Sequence, residues 1–178
     1  MILREEILDL ITQNIETERI SLCPKTLLLE EGCVATRLFI ILKGCLRLFY
    51  FSDGKDMSFQ FFFENEMVGS SDSIYKQTPS LFSLESIEPS EVLAINRVDF
   101  KNLIEANLRF RILCEEQLID RFFTYQRLFL SRIKNTPQQR YEELLRQHPD
   151  IIQRVPQHYI ASYLGITPVS LSRIRNRK

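Results

Sequence analysis

Between Ile20 and Ile95, short apolar or alternating runs recur, each cut off by turn residues. Residues 26–29 lead into Glu31-Gly32, residues 38–42 into Lys43-Gly44, and residues 46–51 into Ser52-Asp-Gly-Lys55. Asp53-Gly54 is a strong two-residue hairpin signal. Met57, Phe59, Phe61 and Phe63 then alternate with Ser58, Gln60 and Glu64, which predicts a strand with one dry face. An irregular stretch runs through Pro79, and residues 82–87 and 92–95 predict two more strands. Strands this short and this frequent are satisfied by an antiparallel β-barrel or jelly roll, which hides most of its edges.

Helical texture brackets the strands. Leu3, Ile7, Leu10, Ile11 and Ile15 share one face of a helix over residues 2–17. After the strands, Asp99 is placed to cap a short helix ending near Ala106. A long helix is expected over residues 108–134. Leu108, Ile112, Ile119, Phe122, Phe129 and Ile133 fall on alternating four-and-three spacing, with Glu115 and Gln126 interrupting the seam. That spacing suits a partner helix, although the same face would also serve to lie against the barrel. A further helix over 137–147 begins with a proline at its first turn, and Asn135-Thr136-Pro137 reads as a hinge.

The stretch from Pro156 to Arg175 predicts a helix-turn-helix. Ile160, Ala161 and Leu164 give the first helix an apolar face, and Gly165 supplies the positive φ at which that helix stops. Thr167 is a good N-cap and Pro168 a good first residue for the second helix. Val169, Leu171 and Ile174 are expected to pack, leaving Ser170, Arg173 and Arg175 to point outward. Charge supports the assignment. The chain carries 23 Lys and Arg against 23 Asp and Glu. From residue 151 onward there is no acid and there are five bases: Arg154, Arg173, Arg175, Arg177 and Lys178. A basic end on an acidic body implies a localised site for a polyanion.

Other chemistry is poorly supported. No apolar run approaches the roughly 20 residues needed to span a bilayer. The N-terminus, Met-Ile-Leu-Arg-Glu-Glu-Ile, lacks a signal-peptide pattern, so a soluble cytoplasmic protein is expected. Cys23, Cys33, Cys45 and Cys114 have no metal-site spacing and read as small buried core residues. His148 and His158 both lie outside the predicted barrel, and no catalytic triad, P-loop or GxGxxG is visible. An enzyme is not expected, and neither is a metal.

The order of helix, barrel, long helix and helix-turn-helix resembles the CRP/FNR family of bacterial transcription regulators. Gly32, the run Leu38-Phe-Ile-Ile-Leu-Lys-Gly44, the turn Asp53-Gly54-Lys55 and Glu66-Met-Val-Gly69 match that family's barrel landmarks. Ile160-Ala-Ser-Tyr-Leu-Gly-Ile-Thr167, followed by Leu171-Ser-Arg-Ile174, looks like its helix-turn-helix. The resemblance implies an α+β fold in three parts. Residues 1–107 form a cyclic-nucleotide-binding-like barrel with an N-terminal helix, 108–134 a dimerisation helix, and 135–178 a helix-turn-helix lacking the final wing. It implies a homodimer on palindromic double-stranded DNA, with RNA polymerase as a further partner. Thr167, Ser170, Arg173, Arg175, Arg177 and Lys178 would contact DNA, the last three replacing phosphate contacts of a wing. Ile112, Ile119, Phe122, Gln126 and Phe129 would form the dimer interface.

The resemblance breaks at the effector pocket. Relatives that bind cyclic AMP place an acid directly after the barrel glycine and an Arg in the next segment. Here Gly69 is followed by Ser70-Ser71, and the later segment reads Pro79-Ser-Leu-Phe-Ser83. Between Met57 and Asn96 the one base is Lys76, against six acids. A buried phosphate without a bidentate cation is poorly compensated. Cyclic AMP is therefore not expected, and no cofactor is assigned. The pocket either holds another small molecule, with Gly69, Ser70, Ser71, Ser80, Phe82 and Ser83 around it, or is collapsed and filled by Phe and Leu. The alternative function is a sensor or adaptor whose degenerate DNA-binding part acts through protein contacts.

Overall fold

The computed structural model describes residues 3–176. Helix α1 (Glu5–Asn14) is followed by strands β1 (Thr17–Leu22), β2 (Leu27–Leu29), β3 (Arg37–Lys43), β4 (Leu46–Ser52), β5 (Lys55–Phe62) and β6 (Met67–Val68). Helix α2 (Ser71–Lys76), strands β7 (Ser83–Ser86) and β8 (Ser90–Asn96), and helices α3 (Arg97–Ala106) and α4 (Leu108–Lys134) come next. The chain closes with α5 (Pro137–Gln147), α6 (Pro149–Arg154), α7 (Gln157–Tyr163) and α8 (Pro168–Arg175). The strands form two four-stranded antiparallel sheets, ordered β1-β8-β3-β6 and β2-β7-β4-β5.

Both faces of β3 are buried, which accounts for its unbroken apolar run. Phe39 and Ile41 meet Leu48, Phe62, Leu84 and Val92 between the sheets. Leu38 and Ile40 face the other way, toward Ile7, Ile11, Leu103 and Phe110 of α1, α3 and α4. Phe110 is fully buried, a transfer worth roughly 1.5–3 kcal/mol. Strand β5 departs from its expected pattern. A register shift pairs Leu48 with Gln60 but Phe49 with Ser58, so Phe59 is an extra residue. Phe59 and Phe62 consequently pack into the barrel while Phe61 packs against the C-terminal helices. The single dry face read from the alternation is corrected: both faces are covered, because α7 lies on the outer one.

Local punctuation fixes the helices. The Asn96 side chain accepts from Val98 N at 2.8 Å, so Asn96 rather than Asp99 caps α3. Asn107 caps α4, and Thr136 with Gln139 forms a capping box on α5. The first helix ends at Asn14, leaving Thr17 free to begin β1 against β8. Two helices, α2 and α6, were not anticipated. The cysteines also need correcting: Cys45 is buried and Cys114 half-buried, but Cys23 and Cys33 are exposed.

Gly44 turns β3 into β4 with φ of 100°, and a Cβ there would sit 2.7 Å from Ser90 Cα. Gly44→Ala combines left-handed strain with a backbone collision. We expect a loss on the order of 3 kcal/mol, measured as a lower urea midpoint at unchanged slope.

Candidate nucleic-acid interface and sensor cavity

The C-terminal tip is built as a compact pair of helices. Ala161 is fully buried where α7 and α8 meet, and Ile166 N returns to Ala161 O at 2.9 Å. Gly165 takes φ of 68° at the turn. Thr167 Oγ1 then accepts from Ser170 N at 3.1 Å, and Pro168 opens α8. Leu171 anchors α8 with 1% exposure, and half-buried Ile174 lies one turn further on the same side. Val169 is 60% exposed, which corrects the packing role read for it. Two residues from Leu171 is about 200° around a helix, so Val169 must point away. Ser170 is half-buried and its hydroxyl pairs with Thr167 Oγ1 at 3.0 Å. Arg173 and Arg175 are exposed in the last turn and form no ion pair among the described residues. Arg177 and Lys178 lie outside the described residues.

Helix α4 leaves a broad face uncovered. Ile112, Ile119, Phe122, Gln126 and Phe129 are all exposed, together with Leu118, Phe123, Leu130 and Ile133. The opposite side is tied to the rest of the fold by Phe110 and Leu113 in the core, and by Arg121, whose guanidinium donates to Met67 O at 2.9 Å.

A cavity of about 290 Å³ opens beside Gly69, between Leu28, Leu29, Ala35, Phe39 and Leu84. Of the six expected pocket residues, Gly69 alone lines it. Ser70 and Ser80 are buried and bonded to each other at 2.9 Å, and Ser80 Oγ donates to Phe82 O. Ser83 Oγ accepts from Glu31 N. Ser71 is exposed in the first turn of α2, and Phe82 packs on Phe59 with ring centroids 5.2 Å apart. The hydroxyls of Ser70, Ser80 and Ser83 are therefore spent on the segments that shape the cavity. Lys76 pairs with Asp72 on the surface. One cation does border the cavity: Arg37, which also binds Glu18 at 2.8 Å. It comes from the start of β3, not from the segment between Met57 and Asn96.

The junction between tip and barrel was missed entirely by the sequence. Arg154, at the end of α6, donates from both terminal nitrogens to Glu64 at 2.8 Å and also binds Glu88. Ser58 N donates to Ser162 Oγ at 2.8 Å, pinning α7 to β5. Arg47, 2% exposed in β4, binds Glu85 at 2.7 Å, Ser58 Oγ at 2.7 Å, and Asp56. Its guanidinium lies between the Phe49 ring at 4.1 Å and the Tyr159 ring of α7 at 3.8 Å. One of the five bases at the basic end is thus already neutralised by the barrel. The available signal was the pairing of an acid-free segment with the acids around Glu64 and Glu88, but no spacing rule connects residues that far apart.

Residues 19–107 match the cyclic nucleotide-binding domain. No curated protein matches the chain. Among solved structures, the c-di-GMP responsive global regulator CLP of Xanthomonas campestris is similar at a TM-score of 0.74 and 16% identity, over 96% of this chain and 89% of that one. FixK2 of Bradyrhizobium japonicum gives 0.77 and 16%, over 92% and 84%. The catabolite activator protein of Thermus thermophilus gives 0.57 and 20%, over 97% and 82%. These neighbours are CRP/FNR-family regulators, and at these identities the likeness is one of fold.

Hydrogen bonds from Arg154 hold the Glu64 carboxyl down to about 2, below its ordinary 4.5. As pH falls the unfolded chain takes up this proton first. The clamp's contribution is complete above about pH 4.5 and vanishes toward pH 2. Glu64→Gln should lower the urea midpoint at neutral pH, and the gap to the parent should close on approach to pH 2.

Proposed function

Because the chain belongs to the cyclic nucleotide-binding domain family, we propose that it is a sensor-coupled transcription regulator of the CRP/FNR type, binding palindromic double-stranded DNA as a homodimer. The observation that carries this reading is α8: Leu171 roots it in the tip while Arg173 and Arg175 stand outward without partners among the described residues. Arg173 is placed to read guanine bidentately, and Thr167 and Arg175 to position the backbone. The parts divide as residues 1–107, 108–134 and 135–178.

The second copy supplies what α4 lacks. A lone chain would keep Ile112, Ile119, Phe122 and Phe129 in water along one helix, an exposed apolar stripe of the kind that marks a protein–protein contact. Two α4 helices packed across a two-fold axis bury that seam and carry the two α8 helices into successive major grooves about 34 Å apart. RNA polymerase is the downstream partner this arrangement would serve. The barrel acts as the sensor and biases the orientation of the tips. Cyclic AMP is not its ligand in this reading. Most of the side chains around the cavity are apolar, Ser70, Ser80 and Ser83 are committed to backbone or to each other, and Arg37 is shared with Glu18.

Selection of genomic fragments by the full chain should recover a two-fold symmetric site. Arg173→Ala should weaken that site by about 1–3 kcal/mol and relax one base position. An adaptor acting through protein contacts predicts instead no preferred sequence and no effect of Arg173→Ala. Phe122→Glu with Phe129→Glu should convert the dimer to monomer in sedimentation while leaving the barrel folded.

A further inference from the structure

The acids around the tip have unequal supplies of positive charge. Asp56 and Glu85 share the buried guanidinium of Arg47, which belongs to the barrel itself. Glu64 and Glu88 have no such neighbour among the described residues of the barrel. Their cation is Arg154, reaching across from α6 with a two-pronged contact to Glu64 at 2.8 Å and a further contact to Glu88. Glu64 also accepts from Gly44 N at 2.8 Å, so the carboxylate is fixed in place before Arg154 arrives. The Glu64 carboxylate takes both terminal nitrogens of one guanidinium, the same doubly accepting, charge-assisted contact that two oxygens of a phosphate group make.

The position of Arg154 makes this consequential. It ends α6 directly before α7, and the first helix of a helix-turn-helix crosses the DNA backbone when the second enters the groove. A guanidinium there is well placed for a phosphate. In the present arrangement it is occupied, and the face of α7 carrying Tyr159 and Ser162 is pressed onto β5, beside Asp56 and Glu85. A duplex approaching α7 would meet those carboxylates.

Building on the DNA-binding reading above, we propose that Glu64 and Glu88 stand in for DNA phosphate: they hold Arg154, and with it α7 and α8, on the barrel, so that docking and duplex compete for the same guanidinium. The arrangement described here is the parked form. Release frees Arg154 for the DNA backbone and withdraws the tip from four carboxylates at once.

The test uses the full chain with Glu64→Gln and Glu88→Gln together, and Arg154→Lys as a second variant. The first removes the stand-in charge. The second keeps a cation for phosphate but loses the fork. Spin labels at Lys55 on the barrel and Ser172 on α8, in a background with Cys23 and Cys33 replaced by Ser, report docking by their separation. Binding is read by anisotropy on a duplex carrying the site selected by the wild type. With labelled chains diluted into unlabelled ones so that only within-chain separations are read, we expect one short separation for the wild type that lengthens when duplex is added. For both variants we expect lengthening without duplex. The double variant should bind about tenfold tighter, equivalent to one charge-assisted contact no longer opposed. A double variant that keeps the short separation, or binds duplex equally or less well while the wild type binds, overturns the proposal and leaves the DNA-binding reading standing. Absence of duplex binding by every form overturns both.

Discussion

An arginine cannot shed its charge to suit a dry environment, and Arg47 is almost wholly out of water. Its guanidinium must be met on every edge and covered on both faces. Asp56, Glu85 and Ser58 meet the edges from neighbouring strands, and Phe49 covers one face. The remaining face is covered by Tyr159, which belongs to α7. The barrel is thus completed by a side chain from the far end of the sequence. Removing one partner of such a group typically costs about 3–5 kcal/mol, because a buried charge is left uncompensated. This is why the C-terminal helices sit where they do: β5 turns Phe61 outward, α7 covers it through Tyr163 with ring centroids 5.4 Å apart, and the same contact shuts water away from Arg47.

The molecule therefore has two kinds of outward-facing surface, with different physical demands. The β5 face is satisfied within the chain, by packing and by charge-assisted hydrogen bonds. The α4 seam is not. Its large side chains repeat over most of a 27-residue helix and stand exposed, with none of the described residues covering them. One surface invites an internal partner that polar competitors can displace, and the other a partner that matches it in shape and in apolarity. In the proposed dimer, pairing at α4 would leave each tip free to be docked or released without disturbing the pairing.

Much of this was readable from residue order, and what was not has identifiable causes. Asp53-Gly54 announced the hairpin, and both residues adopt positive φ as a primed turn requires. The ends of α4 and α5 were legible because Asn107, Thr136 and Pro137 carry explicit capping chemistry. Strand β1 was not, because Thr-Glu-Arg-Ile-Ser-Leu is mostly polar and its pairing with β8 lies seventy residues away. Helix α6 hid between Pro149 and Pro156, too short to show a period. The alternation in β5 misled because one bulged residue reverses the sense of a strand. The serines of the expected pocket were identified by type alone. A hydroxyl near a cavity can serve a ligand or the loops that bound it, and only geometry shows that Ser80 is bonded to its own loop and Ser83 to the backbone at Glu31.

Charge is the thread that joins these parts. The chain is formally neutral, so its long-range field gives little general attraction to a polyanion, and steering must come from the local imbalance. Docking reduces that imbalance further, since Arg154 is taken out of the basic end and sits among the acids of the barrel. What remains on α8 among the described residues is Arg173 and Arg175. Two exposed cations produce a shallow salt dependence, while a released tip that adds Arg154 produces a steeper one. The same displacement would therefore change both how strongly a duplex is held and how sharply that hold responds to ionic strength. On the proposed mechanism, a neutral protein with a parked base would keep weak contacts with random sequence low and reserve its full charge for a site whose binding also offsets the cost of opening the junction.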